Sequence, residues 1–200
     1  MQKVRIKICG LRTEKDINTV NIYRPDYIGF VFADFSKRYI NAEQAERLKK
    51  ALDPGIATVG VFVNEAEDSV IKLLKDGIID IAQLHGSEDE EYIRHIKEET
   101  GRPVIRAFNM NKIESTDIVM DSPADYVLLD SGTGSGKTFD WTRLKGIKRP
   151  YFLAGGLSLD NVEEAVRILQ PFAVDVSSGV ETNGFKDETL IKEFVNKIKI

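Results

Sequence analysis

Short runs rich in β-branched and aromatic residues alternate, along the whole chain and without a break, with longer charged segments of helical period. The expected strands lie at residues 4–9, 26–32, 58–63, 81–85, 104–108, 126–130, 151–154 and 173–176. Between them, segments such as 42–51, 65–76, 88–100, 158–169 and 187–199 repeat apolar residues at helical spacing and carry charge on one face. Asn41 and Ser87 stand where N-caps belong, and Gly77 and Gly101 where helices stop. The segments after Phe108 and Trp141 have the weakest helical pattern. Strict βα alternation implies a parallel sheet covered by helices. About eight such units, some 25 residues each and with no linker, imply closure into a (β/α)8 TIM barrel, a single α/β domain over 1–200. The units share no repeated motif, which excludes a solenoid.

Composition narrows the partners. The net charge is -4, with 42% hydrophobic and 30% charged residues, so nothing favours a nucleic acid or a membrane surface. The opening MQKVRIKICG has no apolar core of a signal peptide, and no apolar run reaches the roughly 20 residues of a spanning helix. A single cysteine excludes an internal disulfide and a multi-cysteine zinc site, and two histidines without clustered carboxylates lead us to expect no metal. The expectation is a protein of a reduced, cytoplasmic compartment, monomer or homodimer. An anionic ligand would need a local site, because the overall field does not attract it.

In such a barrel, functional residues come from the C-terminal ends of the strands. The first strand alternates so that Val4, Ile6 and Ile8 face the helices and Lys7 and Cys9 face inward, with Cys9 at the mouth. A cation beside a thiol favours the thiolate, which acts as a base or nucleophile. The plainer role, a small buried core residue, stands beside that one. The sixth strand ends in Asp130, able to cap a loop or to serve as a general acid or base. The stretch Ser131-Gly-Thr-Gly-Ser-Gly-Lys137-Thr138 resembles a P-loop but has serine where its first glycine belongs, and no long apolar helix follows. It reads instead as a lid carrying Lys137.

Gly155 and Gly156 end the seventh strand, and Ser178 and Gly179 follow the eighth. Each pair alone makes an ordinary turn; together they stand where barrels build phosphate sites from backbone N–H groups. Asp175 points inward beneath them. Arg38, after the second strand, is either a fork for a carboxylate or phosphate or a solvated surface charge. Gln83 and His85 share the inward face of the fourth strand near the mouth.

Taken in order, these peptides are similar to the phosphoribosylanthranilate isomerases. The resemblance is carried by Lys7-Ile8-Cys9-Gly10, Gly29-Phe30-Val31-Phe32 with Ser36-Lys37-Arg38-Tyr39, Val59-Gly60-Val61-Phe62-Val63 and Gln83-Leu84-His85-Gly86. It continues through Leu129-Asp130, Gly136-Lys137-Thr138-Phe139-Asp140-Trp141, Ala154-Gly155-Gly156-Leu157 and Val174-Asp175-Val176-Ser177-Ser178-Gly179-Val180-Glu181. It implies an Amadori rearrangement of N-(5′-phosphoribosyl)anthranilate in tryptophan biosynthesis, without metal or organic cofactor. It further implies Cys9 as general base, Asp130 as general acid and Arg38 on the anthranilate carboxylate. Lys7, His85 and Asp175 would contribute to substrate binding, and Gly155, Gly156, Ser178 and Gly179 to the phosphate site. The chain departs from the family at Ser158-Leu159-Asp160, where Thr/Asn-Pro-Glu is more familiar, which affects a helix start.

The rivals are a histidine-pathway isomerase, which calls for aspartate at Cys9, and the next synthase of tryptophan formation, which calls for catalytic lysines at strand ends. A P-loop nucleotide-binding protein and a non-catalytic barrel scaffold are the rivals from other classes.

Overall fold

In the computed structural model, which describes residues 3–130, 141–144 and 146–199, eight parallel strands close into a barrel in sequence order. They are β1 (Arg5–Cys9), β2 (Tyr27–Val31), β3 (Ala57–Phe62), β4 (Ile81–Leu84), β5 (Val104–Asn109), β6 (Tyr126–Asp130), β7 (Tyr151–Leu153) and β8 (Ala173–Val176). Closure pairs β1 with β8, Lys7 standing opposite Asp175. Outside lie α1 (Glu14–Tyr23), α2 (Ala42–Ala51), α3 (Glu67–Lys75), α4 (Glu90–Thr100), α5 (Asp117–Met120), α6 (Val162–Leu169) and α7 (Glu188–Ile198). Where helical pattern is weakest, the structure has the four-residue α5 and a single 3₁₀ turn, Trp141–Leu144. Among the described residues no helix is long and apolar enough to cross a membrane.

Strand residues alternate between two cores. Ile6, Ile8, Val127, Leu129, Tyr151 and Leu153 face the helices. Val59, Ile81, Ile105, Leu128, Phe152 and Ala173 meet inside the barrel. Tyr27, Tyr126 and Phe172 pack around Phe152 and plug the end where the strands begin. That end is built for stability. Asp26, Asp80 and Asp125, each just before an even-numbered strand, accept the N–H of Ile6, Thr58 and Val104 at 2.9, 2.8 and 2.9 Å. Donors at strand starts that would otherwise be orphaned are thereby satisfied.

The helix caps follow local chemistry, with one correction. Asn41 caps α2 in a capping box with Gln44, and Gly101 closes α4 in the left-handed region at φ 62°. The cap of α4 is Asp89, not Ser87. The Ser87 N–H and hydroxyl both donate to Asn64 Oδ1, at 2.7 and 2.9 Å, so its side chain ties two loops together instead. At the departure after Gly156, α6 begins only at Val162, and Asn161 latches the preceding turn by accepting Ser158 N–H and donating to Gly156 O. A short antiparallel hairpin, β9 (Glu181–Thr182) and β10 (Phe185–Lys186), interrupts the path from β8 to α7.

Candidate active site

The inward register that fills the barrel continues to its open end. Cys9, Val31, Val61, Gln83, Ala107, Asp130, Ala154 and Asp175, one from or just beyond each strand, line a single cavity of about 830 Å³. That is room for a drug-sized ligand. Arg38, His85, Gly155, Gly156 and Ser178 also line it. Two expected residues stand apart from it. Lys7, fully buried, lies beneath the floor and reaches the site through Asp175. Gly179 packs on the backbone of Leu157, where an added Cβ would come within 2.0 Å of the carbonyl oxygen. Lys137 and the rest of the glycine-rich stretch 131–138 lie outside the described residues.

Cys9 is mostly buried, with 9% of its surface accessible, and shares its ladder position with Gly29. A Cβ on Gly29 would come within 2.6 Å of the Cys9 sulfur, so that glycine makes room for the thiol. Burial pushes the thiol above its ordinary value, while Lys7 pulls the other way without prevailing. The expected thiolate is corrected on this point: desolvation disfavours the charged form, and the Lys7 ammonium is already paired with Asp175 at 2.8 Å. Alkylation of Cys9 by iodoacetamide is therefore expected to be slow near neutrality and still accelerating at pH 9.0, the ordinary thiol value. A rate that levels off below pH 8 in a thiol titration would contradict this (reading the plateau as roughly the thiol pKa).

Burial opposes the Lys7 ammonium, but attraction to Asp175 and Cys9 raises its pKa and keeps it charged. For Asp175, burial pushes the carboxyl up and Lys7 holds it back. Only one Asp175 oxygen is engaged. Asp175 Oδ1 and Gln83 Oε1 are buried acceptors with no hydrogen-bond partner among the described residues, and both side chains line the cavity. Unpaired buried acceptors are costly, so both positions suit the hydroxyl donors of a ligand or of water. Across the mouth, His85 Nε2 approaches Asp130 Oδ2 at 3.4 Å.

Gly155 and Gly156 have φ 84° and 71°, a left-handed turn that other residues resist. Their N–H groups donate to no backbone carbonyl among the described residues. Arg38 is not a solvated surface charge. Its Nε and Nη2 donate to Glu181 Oε1 and Oε2, both at 2.7 Å, and its stem crosses Gly10, whose Cβ would meet Arg38 Cδ at 2.3 Å. Sequence reasoning missed Glu181, Lys186 and the hairpin that carries them. The available signal was Asn183-Gly184, the dipeptide that favours a two-residue hairpin turn.

A barrel with this mouth has close relatives. The family described as N-(5'phosphoribosyl)anthranilate (PRA) isomerase matches residues 6–197. The chain is 48% identical over 201 residues to the N-(5'-phosphoribosyl)anthranilate isomerase of Endomicrobium trichonymphae, with 98% of each chain covered. The crystal structure of the phosphoribosyl anthranilate isomerase from Thermotoga maritima superposes with a TM-score of 0.87 at 40% identity, again over 98% of both chains. A phosphoribosyl anthranilate isomerase solved in complex with reduced 1-(o-carboxyphenylamino)-1-deoxyribulose 5-phosphate gives 0.85 at 37% identity over 98% of each. The match runs the length of the barrel, from β1 into α7, and on it the chain belongs to the N-(5′-phosphoribosyl)anthranilate isomerase family.

Proposed function

We propose that the cavity converts N-(5′-phosphoribosyl)anthranilate to 1-(2-carboxyphenylamino)-1-deoxyribulose 5-phosphate, a step of tryptophan biosynthesis, with Asp130 as general acid and Cys9 as general base. The observation that carries the assignment is that a carboxyl group from β6 and a thiol from β1 line one cavity whose rim holds the Gly155-Gly156 turn. The ligand of the solved relative, a phosphorylated carboxyphenylamino sugar, supports a small phosphorylated substrate.

In this mechanism the Asp130 carboxyl protonates the furanose ring oxygen. The C1–O bond breaks as the anilino nitrogen's lone pair forms C1=N, which opens the ring to a protonated Schiff base. Cys9, as thiolate, removes the C2 proton. The released electron pair forms C1=C2, and the C1=N pair returns to nitrogen. The resulting enolamine tautomerises to the ketone, with one proton lost from the C2 hydroxyl and one gained at C1. No net oxidation occurs. A raised thiol pKa leaves little thiolate at neutral pH but makes that thiolate a stronger base.

The remaining assignments follow the chemistry of each group. The Asp175 and Gln83 acceptors take sugar hydroxyls, and Lys7 holds Asp175 in place from below. His85 contributes a polar contact beside the acid. The N–H groups of Gly155, Gly156 and Ser178 take the phosphate, Gly179 seats that backbone against Leu157, and Arg38 takes the ring carboxylate. A thiol kept reduced suits a cytoplasmic setting. For assembly, monomer or homodimer, the relevant precedent is a Thermotoga maritima relative described as dimeric.

The test is loss of anthranilate-type fluorescence from phosphoribosylanthranilate generated in situ. Enzyme-dependent decay is expected; none at any enzyme concentration would overturn the assignment. Arg38→Ala is expected to weaken binding of the carboxylated product analogue by about 2 to 3 kcal/mol, the scale of a charge-assisted contact. Calorimetric titration of wild type and variant measures it, and equal affinities would remove Arg38 from the binding site.

A further inference from the structure

The hairpin between β8 and α7 carries more chemistry than a connection requires. Asn183 and Gly184 have φ 54° and 78°, the two left-handed residues of a tight turn. Its register sets Lys186 opposite Glu181, so both side chains emerge together. The Glu181 side chain, 7% exposed, takes the two-pronged contact from Arg38 and a third bond from Lys186 Nζ at 2.6 Å. Lys186 also donates to Ser177 O at 2.9 Å, and the Ser177 hydroxyl donates to Cys9 O at 3.0 Å. From outside, Arg12 donates to Lys37 O and Gly184 O at 2.6 and 2.7 Å and lies over the Phe185 ring. The hairpin is thus fastened to the loop after β2 and to the end of β1.

We propose that Glu181 is a positioning residue that sets the site's preference for a carboxylated ring, acting through Arg38. The inference rests on the assignment of Arg38 to that carboxylate. A guanidinium has five N–H donors in a rigid plane. The fork on Glu181 occupies the Nε edge, and Nη1 makes no hydrogen bond among the described residues. Arg38 lines the cavity, so its remaining donors form a second, fixed edge for another planar anion. Without Glu181 the long side chain would have to be ordered by the ligand at the ligand's expense. Charge does not cancel the attraction: Glu181 offsets one of its two cations, and the cluster keeps one net positive charge.

Removing Glu181 alone would leave Lys186 buried without its carboxylate, so the informative variant is the double substitution Glu181→Gln/Lys186→Met. It keeps one net positive charge and changes only how Arg38 is held. Two stable ligands are titrated, reduced 1-(2-carboxyphenylamino)-1-deoxyribulose 5-phosphate and its counterpart with an unsubstituted phenyl ring. Wild type is expected to prefer the carboxylated ligand, and the double variant to lose about tenfold of that preference, part of the roughly 30- to 150-fold that Arg38→Ala removes. General damage to the fold would weaken both ligands alike and leave the ratio intact, and an intact ratio overturns the role of Glu181. If Arg38→Ala also leaves the ratio unchanged, the assignment of Arg38 fails as well; if only Arg38→Ala lowers it, that assignment stands and the inference alone falls. Should the double variant not fold, Glu181→Gln alone is judged by the same ratio.

Discussion

Cys9→Ala is expected to lower kcat by about 10³-fold while leaving the affinity for the reduced product analogue within a few-fold of wild type. A positioned general base contributes roughly 10² to 10⁴ in rate. The upper half of that range is appropriate because proton abstraction from carbon needs a strong base, and among the described residues the other ionisable side chain lining the β1–β2 side of the cavity is Arg38, a cation. The change is sterically mild. Alanine removes only the sulfur, which fills the space that Gly29 leaves beside it. The Gly155-Gly156 turn after β7 and the Arg38–Glu181 pair lie on other elements. Stopped-flow fluorescence gives the rate and titration gives the affinity. A variant within tenfold of the wild-type kcat would assign the base elsewhere; equal losses in affinity and rate would show a packing role.

Asp130→Asn should have the second-largest effect, a fall in kcat of about 10² to 10⁴ with binding retained. The amide is the same size and can still meet His85, which stands 3.4 Å from the present carboxylate. It has no proton to give to the ring oxygen, so the loss falls on ring opening. The two variants differ in where material accumulates. Without Asp130 the closed aminosugar persists, whereas without Cys9 the ring opens and isotope exchange at C2 stops. Borohydride trapping of the open-chain Schiff base, followed by mass spectrometry, separates the cases. Undiminished turnover in Asp130→Asn would transfer the acid role to another group.

Much of this arrangement was readable from the chain because it depends on local rules. Alternation within β1 put Lys7 and Cys9 inward, and the same rule places Gln83, Asp130 and Asp175. The caps at Asn41 and Gly101 followed from side-chain oxygen and glycine chemistry, both confined to a few consecutive residues. Ser87 misled because its hydroxyl finds Asn64, 23 residues earlier, before it can cap α4. The hairpin was missed because strands of two residues each leave almost no alternation to detect, although Asn183-Gly184 marked its turn.

By itself, then, the sequence determined the eightfold βα alternation, the inward and outward faces of the strands, and which chemical groups stand at their ends. All of these follow from backbone geometry with periods of a few residues. Only the tertiary structure decided what those groups do to one another. Closure of the barrel sets Lys7 on Asp175, 168 positions away, and the hairpin sets Glu181 on Arg38, 143 positions away. It also turned the expected lowering of the Cys9 pKa into a rise. A neighbouring cation argues for a thiolate on paper, but the energy of an ion depends on how much water surrounds it, and burial is a property of the whole fold.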